Sequence, residues 1–166
     1  ERFEKIRFIL PANAYSAATL MCFAGAEIIM DSLSTLGPID PQLNGIPARA
    51  ILRSFETLEK KLRAEGPQGI TAYLPLLQKY DLHILEICRS AEELSTELAR
   101  SWLTKYMLKD NAKVDEVVKF FASYDLHKSH ARGITRQVAR ENGLTTIKNA
   151  EDISGLADLI RSLRSQ

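Results

Sequence analysis

Along this chain the apolar positions follow two regimes. Up to Gly45 they come in short continuous runs punctuated by glycine and proline, and after Pro47 they recur three and four apart, the period of amphipathic helices. Residues 6–10 have no helical period and stop at Pro11, which predicts a short buried strand. Residues 15–26 are small and continuously apolar, which predicts a helix buried on all sides, with Ala17, Ala18, Ala24 and Ala26 permitting close packing. Glu27 to Met30 reads as a second strand. An irregular loop carrying Gly37, Pro38, Pro41 and Gly45 is expected over residues 31–45.

Pro47 suits a first helical turn, and Ile51, Phe55, Leu58 and Leu62 then mark one face of a helix, with Glu56 and Lys60 as an i,i+4 pair. This helix should end before Gly66-Pro67. A second, over 71–89, carries Leu74, Leu77, Ile84, Ile87 and Cys88, with Pro75 near its start. Ser90 with Glu93 resembles a capping box that opens a third helix through Leu94, Leu98 and Trp102. A fourth is expected over 111–124 with Val114, Val117, Val118 and Phe121, and a fifth around Ile134 and Val138, closed by Asn142-Gly143. A short strand at 144–148 and a last helix with Ile153, Leu156, Leu159, Ile160 and Leu163 complete the pattern. The expected fold class is α/β. Residues 1–166 form a single domain in this reading, with a small α/β part at 1–46 and a helical part at 47–166.

Composition narrows the function classes. At 166 residues, with 45% hydrophobic and 26% charged residues, the chain is long enough to bury a core without disulfides or metals. Its net charge of +1 argues against a surface built to hold polyanions. Cys22 and Cys88 both lie in apolar segments and are read as small buried hydrophobes, which favours a reducing, cytoplasmic setting. The most apolar run, 17–26, is about half the ~20 residues of a membrane-spanning helix and stops at Glu27, so membrane association would need a segment outside this chain. The chain starts at Glu1 without Met and enters a strand almost at once, and a piece of something longer is therefore expected.

Candidate chemistry begins at Ser16. It stands where a strand passes through a short loop into a small-residue helix, in the frame Ala14-Tyr15-Ser16-Ala17-Ala18. A nucleophile elbow has this setting, with glycines flanking the serine where alanines stand here, and the amide after the serine, that of Ala17, is placed to donate to an oxyanion. The competing structural use of Ser16 is a helix N-cap.

The residues from 16 to 42 resemble one family as a block. Ser-Ala-Ala-Thr-Leu20, Ala24-Gly-Ala-Glu-Ile-Ile-Met30 and Leu36-Gly-Pro-Ile-Asp-Pro-Gln42 are similar to the serine dehydrogenase proteinase family of the Clp protease/crotonase superfamily, related to signal peptide peptidase A. Trp102-Leu-Thr-Lys-Tyr-Met107, His130 and the run from Ile134 to Leu144 are similar to its C-terminal half. The resemblance implies a Clp/crotonase-like fold of ββα units, here mainly its helix-rich C-terminal portion. It also implies a serine nucleophile carried onto Ser16, a polypeptide substrate and a homo-oligomer; no cofactor is called for, and the near-neutral charge argues against nucleic acid.

Serine needs a neighbouring base. Clp-type proteases place a histidine in the loop that corresponds to 37–42, where this chain has Asp40 and no histidine. The signal peptide peptidase branch uses a lysine whose counterpart falls near Ala48 and Arg49, and arginine is a poor base. Lys60 and Lys61 read as a solvated helix face. The base is therefore unassigned, with Asp40 and His130 as candidate participants. Asp40 would orient a base, bind substrate or cap its loop. His127 and His130, three apart, lack a third ligand, so no metal site is expected. The family's Gly-Gly oxyanion segment upstream of the nucleophile has no counterpart in this chain.

Two rival functions follow from the same residues. One is a protease-like scaffold without catalysis, serving as an assembly module. The other is helix-turn-helix DNA binding over 133–150, with Arg132, Arg136, Arg140 and Lys148 on phosphates, which Glu151 and Asp152 oppose.

Overall fold

The apolar run before Pro11 forms strand β1 (Arg7–Leu10), followed by the two-residue strand β2 (Asn13–Ala14), helix α1 (Ala17–Phe23) and strand β3 (Glu27–Met30). This computed structural model describes residues 5–78 and 83–165, without the side chains of 67–70, 76, 77 and 111. Strands β4 (Thr35–Leu36), β5 (Gln42–Leu43) and β6 (Ile46–Pro47) precede the long helix α2 (Ala48–Leu77). Helix α3 (His83–Trp102) continues into a π-helical turn (Leu103–Met107), then α4 (Asn111–Ala122) and α5 (Tyr124–His127). The chain closes with β7 (Ile134–Thr135), α6 (Arg136–Glu141), β8 (Ile147–Asn149), a 3₁₀ turn (Ala150–Asp152) and α7 (Leu156–Arg164).

The protein is a mixed α/β structure with small sheets. Strands β1, β3 and β8 form a parallel sheet in the order β1-β3-β8, with Leu10 opposite Met30 and Met30 opposite Asn149. The connection from β1 to β3 runs through α1, the crossover that parallel strands require. A second sheet, in the order β2-β4-β7, pairs Ala14 with Leu36 and Leu36 with Ile134. A β5–β6 hairpin turns through Asn44 and Gly45, both at positive φ, the conformation of a tight two-residue hairpin turn.

Two compact units make up the chain. One comprises Glu1–Asp40 and Ser95–Gln166, the other Pro41–Leu94. The core of the first centres on Phe23 and Phe121, whose rings meet edge to face at 5.3 Å, with Ile28, Met30, Leu36, Leu103 and Ile134 around them. In the second, Ala48, Leu52 and Cys88 pack with Leu43, Ile51 and Ile84.

Several local expectations change. Helix α1 is not buried all round: Thr19, Cys22 and Phe23 point inward, while Ala17, Ala18 and Met21 are exposed. Pro47 belongs to β6, so the helix starts at Ala48. Gly66 does break α2, at φ 65° and ψ −154°, although helix resumes immediately beyond it. Part of the expected 71–89 helix, residues 79–82, and the side chain of Leu77 lie outside the described residues. Ser90 caps nothing, because a buried stripe through Cys88, Ser95 and Ala99 carries α3 straight past it and leaves Leu94 exposed. Ile134 is a buried strand residue, and the fifth helix begins only at Arg136, where the Thr135 hydroxyl accepts the Val138 amide at 3.4 Å. The irregular loop at 31–45 contains β4 and β5. Among the described residues, no helix is long and apolar enough to cross a membrane.

Candidate active site

Ser16 sits between β2 and α1 at φ 54° and ψ −119°, and its side chain makes no capping hydrogen bond. The N-cap reading of this residue therefore does not describe it. A non-glycine residue at such angles is strained, of the order of 1–3 kcal/mol, and persists only where its surroundings hold it. What holds it is visible. The Ser16 amide donates to the Pro38 carbonyl at 3.2 Å, while the Tyr15 and Ser16 carbonyls accept the Ala18 and Leu20 amides of the first helical turn. Ala17, the first helical residue, is exposed.

The segment reached by that bond, Gly37 to Asp40, is fastened along its length. The Ile39 amide donates to the Phe121 carbonyl at 2.9 Å, and the buried Ser95 hydroxyl donates to the Ile39 carbonyl at 2.8 Å. Asp40 is 3% exposed, and its Oδ1 lies 3.0 Å from Nδ1 of His130. Its side chain thus engages the histidine and does not cap the loop. Among the described residues, its buried Oδ2 has no hydrogen-bond partner.

His130 lies in a loop that leaves α5 through Lys128, at φ 60°. A carboxylate on Nδ1 fixes the neutral imidazole as the tautomer with its proton there and leaves Nε2 as an acceptor, the state a general base needs. His127 turns elsewhere. Its Nε2 lies 2.8 Å from the Phe120 carbonyl and its ring packs on Phe120, so the two histidines have separate partners and do not converge. Burial lowers the His127 pKa against the opposing hydrogen bond to Phe120.

The other sequence candidates are dispersed. Lys60 and Lys61 are exposed on α2, where Glu56 pairs with Arg49 at 3.4 Å. The 133–150 segment is strand, short helix and strand, with β8 where a recognition helix would stand. Arg136 binds the Met30 carbonyl and Glu151, and Arg140 binds the Ile147 carbonyl and Asn149. Helix-turn-helix geometry is therefore excluded from these residues. Sequence reasoning missed Thr19, buried three residues after Ser16 and bonded to both the Ala14 and Gly37 backbones. A threonine after a run of alanines carries no signal of such a role.

An α/β chain with a serine held at positive φ between strand and helix is the class that fold and junction define. The family model for ClpP-like SDH-type serine proteinases matches residues 1–68, which bears out the resemblance over that part of the chain, including Ser16 and Asp40 but not His130. Two curated relatives, both from Methanocaldococcus jannaschii, are similar. The uncharacterized protein MJ1495 is 37% identical over 115 residues, 65% of this chain and 39% of its own length. The uncharacterized protein MJ0137 is 46% identical over 50 residues, 30% of this chain and 18% of its own. The chain thus spans well under half the length of these relatives. No solved structure matches it significantly.

Proposed function

We propose that the chain carries the nucleophile of a serine-protease-like hydrolase that cleaves peptide bonds through an acyl-enzyme on Ser16, with His130 as base and Asp40 as the carboxylate that orients it. One observation carries this reading: the strained Ser16, free of any capping bond, donates its amide to Pro38, two residues before the Asp40 that holds His130.

In this mechanism the Ser16 Oγ bonds to the scissile carbonyl carbon as its proton passes to Nε2 of His130. The Ala17 amide donates to the oxyanion. The amine leaves with the proton from His130, and water then reverses the sequence to release the acid. The β1–β2–α1 order followed by β3–β4 supports the ββα units that the family resemblance implies. A polypeptide substrate, a homo-oligomeric assembly and a cytoplasmic setting belong to the same proposal.

The test is labelling with a fluorophosphonate probe. Ser16 should be modified, Ser16→Ala should abolish the modification, and His130→Gln should slow it strongly. Labelling unchanged by Ser16→Ala removes the nucleophile. Wild-type protein that is folded but never labelled leaves the non-catalytic assembly module as the function.

A further inference from the structure

Thr19 is 0% exposed and is the third residue of α1, on the inward face that it shares with Cys22 and Phe23. A helical threonine ordinarily returns its hydroxyl to the carbonyl three or four residues back. Thr19 does something else. Its Oγ1 lies 2.6 Å from the Ala14 carbonyl, outside the helix, and 2.9 Å from the Gly37 carbonyl on a different segment, and it accepts the Gly37 amide at 3.1 Å. One hydroxyl proton is shared between two carbonyls while a lone pair takes a third group. The side chain is thereby held by two stretches of backbone.

Those stretches are the two that matter for the Ser16 reading. Ala14 is two residues before Ser16, and Gly37 is three before Asp40. They are also pressed together: a Cβ on Gly37 would come within 2.4 Å of the Tyr15 ring and 3.1 Å of the Tyr15 Cα. The Ser16–Pro38 backbone bond continues the same seam. A buried hydroxyl that ties both sides sets their spacing, and reactivity at an activated serine falls steeply with misplacement of the order of 1 Å.

We propose that Thr19 is a positioning residue, whose hydroxyl fixes the separation between the Ser16 turn and the Asp40–His130 segment. The inference rests on Ser16 being the nucleophile, and its test keeps the two apart. Second-order rates of fluorophosphonate labelling at Ser16 are measured across neutral pH for wild type, Thr19→Val and Thr19→Ser, alongside hydrogen exchange of the Gly37 amide.

Thr19→Val should lower the labelling rate about tenfold or more at every pH. Thr19→Ser, which keeps the hydroxyl, should stay within about threefold of wild type. Gly37 exchange should be faster in the valine variant than in the serine variant. Equal labelling in Val and wild type, or a Ser variant as slow as Val, overturns the proposal. If Thr19→Val does not fold, Thr19→Ala takes its place against Thr19→Ser, and equal rates in those two overturn it likewise. Wild-type protein unlabelled at Ser16 refutes the hydrolase reading itself. Gly37 exchange then decides the tether alone, and identical exchange in the variants disproves it.

Discussion

Nδ1 of His130 lies 3.0 Å from Oδ1 of Asp40, a residue 90 positions earlier in the chain and almost wholly buried. If that contact orients a base, Asp40→Asn should cut Ser16 acylation by about a hundredfold or more, because an amide in place of the carboxylate no longer selects the tautomer with a free Nε2. Circular dichroism should show the fold retained. Acylation at the wild-type rate in the asparagine variant would separate the pair from the chemistry.

A second carboxylate predicts an acid limb. Burial would raise the Asp31 pKa, but hydrogen bonds from Arg164, from the Ser34 hydroxyl and from the Ser34 and Leu33 amides hold it well below the usual carboxylate range. The folded-state pKa is depressed. The stabilisation it confers is therefore complete above the unfolded value of about 3.9 and fades as pH falls below it. Urea denaturation between about pH 6 and 2.5 should show a flatter acid limb in Arg164→Met than in wild type. The variant should also lose stability at neutral pH, since Arg164 further binds the Pro11 carbonyl at 2.8 Å. Parallel acid limbs would refute the assignment.

Phe121 → Ala should destabilise the protein by about 3–5 kcal/mol in chemical denaturation, as expected for an aromatic removed from a closed core. Its ring is fully buried, meets Phe23 and Phe120 edge to face, and its carbonyl fixes Ile39. Because the carbonyl survives the substitution, acylation of Ser16 in the folded fraction should fall less than stability does.

Both cysteines should be inert to aromatic disulfide reagents at neutral pH until the chain unfolds. Burial pushes the Cys22 thiol up to about 11, and burial with the nearby Glu92 charge raises Cys88. The thiolate is the reactive form, so the rate of modification should track unfolding. Rapid modification of native protein would contradict the packing of α1 or α3.

Much of this arrangement was legible because it is local. The apolar runs at β1 and β3 and the break at Gly66 depend on neighbours in sequence, and so does the strand-to-helix junction at Ser16. The two-residue strands β2, β4 and β7 are too short to carry a period and exist only because Asn13, Thr35 and Thr135 meet across the fold. The Asp40–His130 contact is non-local in the same way, which is why the two residues read as isolated candidates. The cap expected at Ser90 failed for another reason: local capping chemistry was overridden by a buried stripe that runs the length of α3.

With Ser16 as the proposed nucleophile, its backbone angles set folding and chemistry at opposite demands on one residue. Glycine would accept φ 54° and ψ −119° at little cost, so Ser16→Gly should raise the melting temperature while removing the hydroxyl. In this reading the chain keeps a less stable residue at this turn than its backbone would prefer, and a screen for thermal stability alone would select against the very atom that Ser16 contributes.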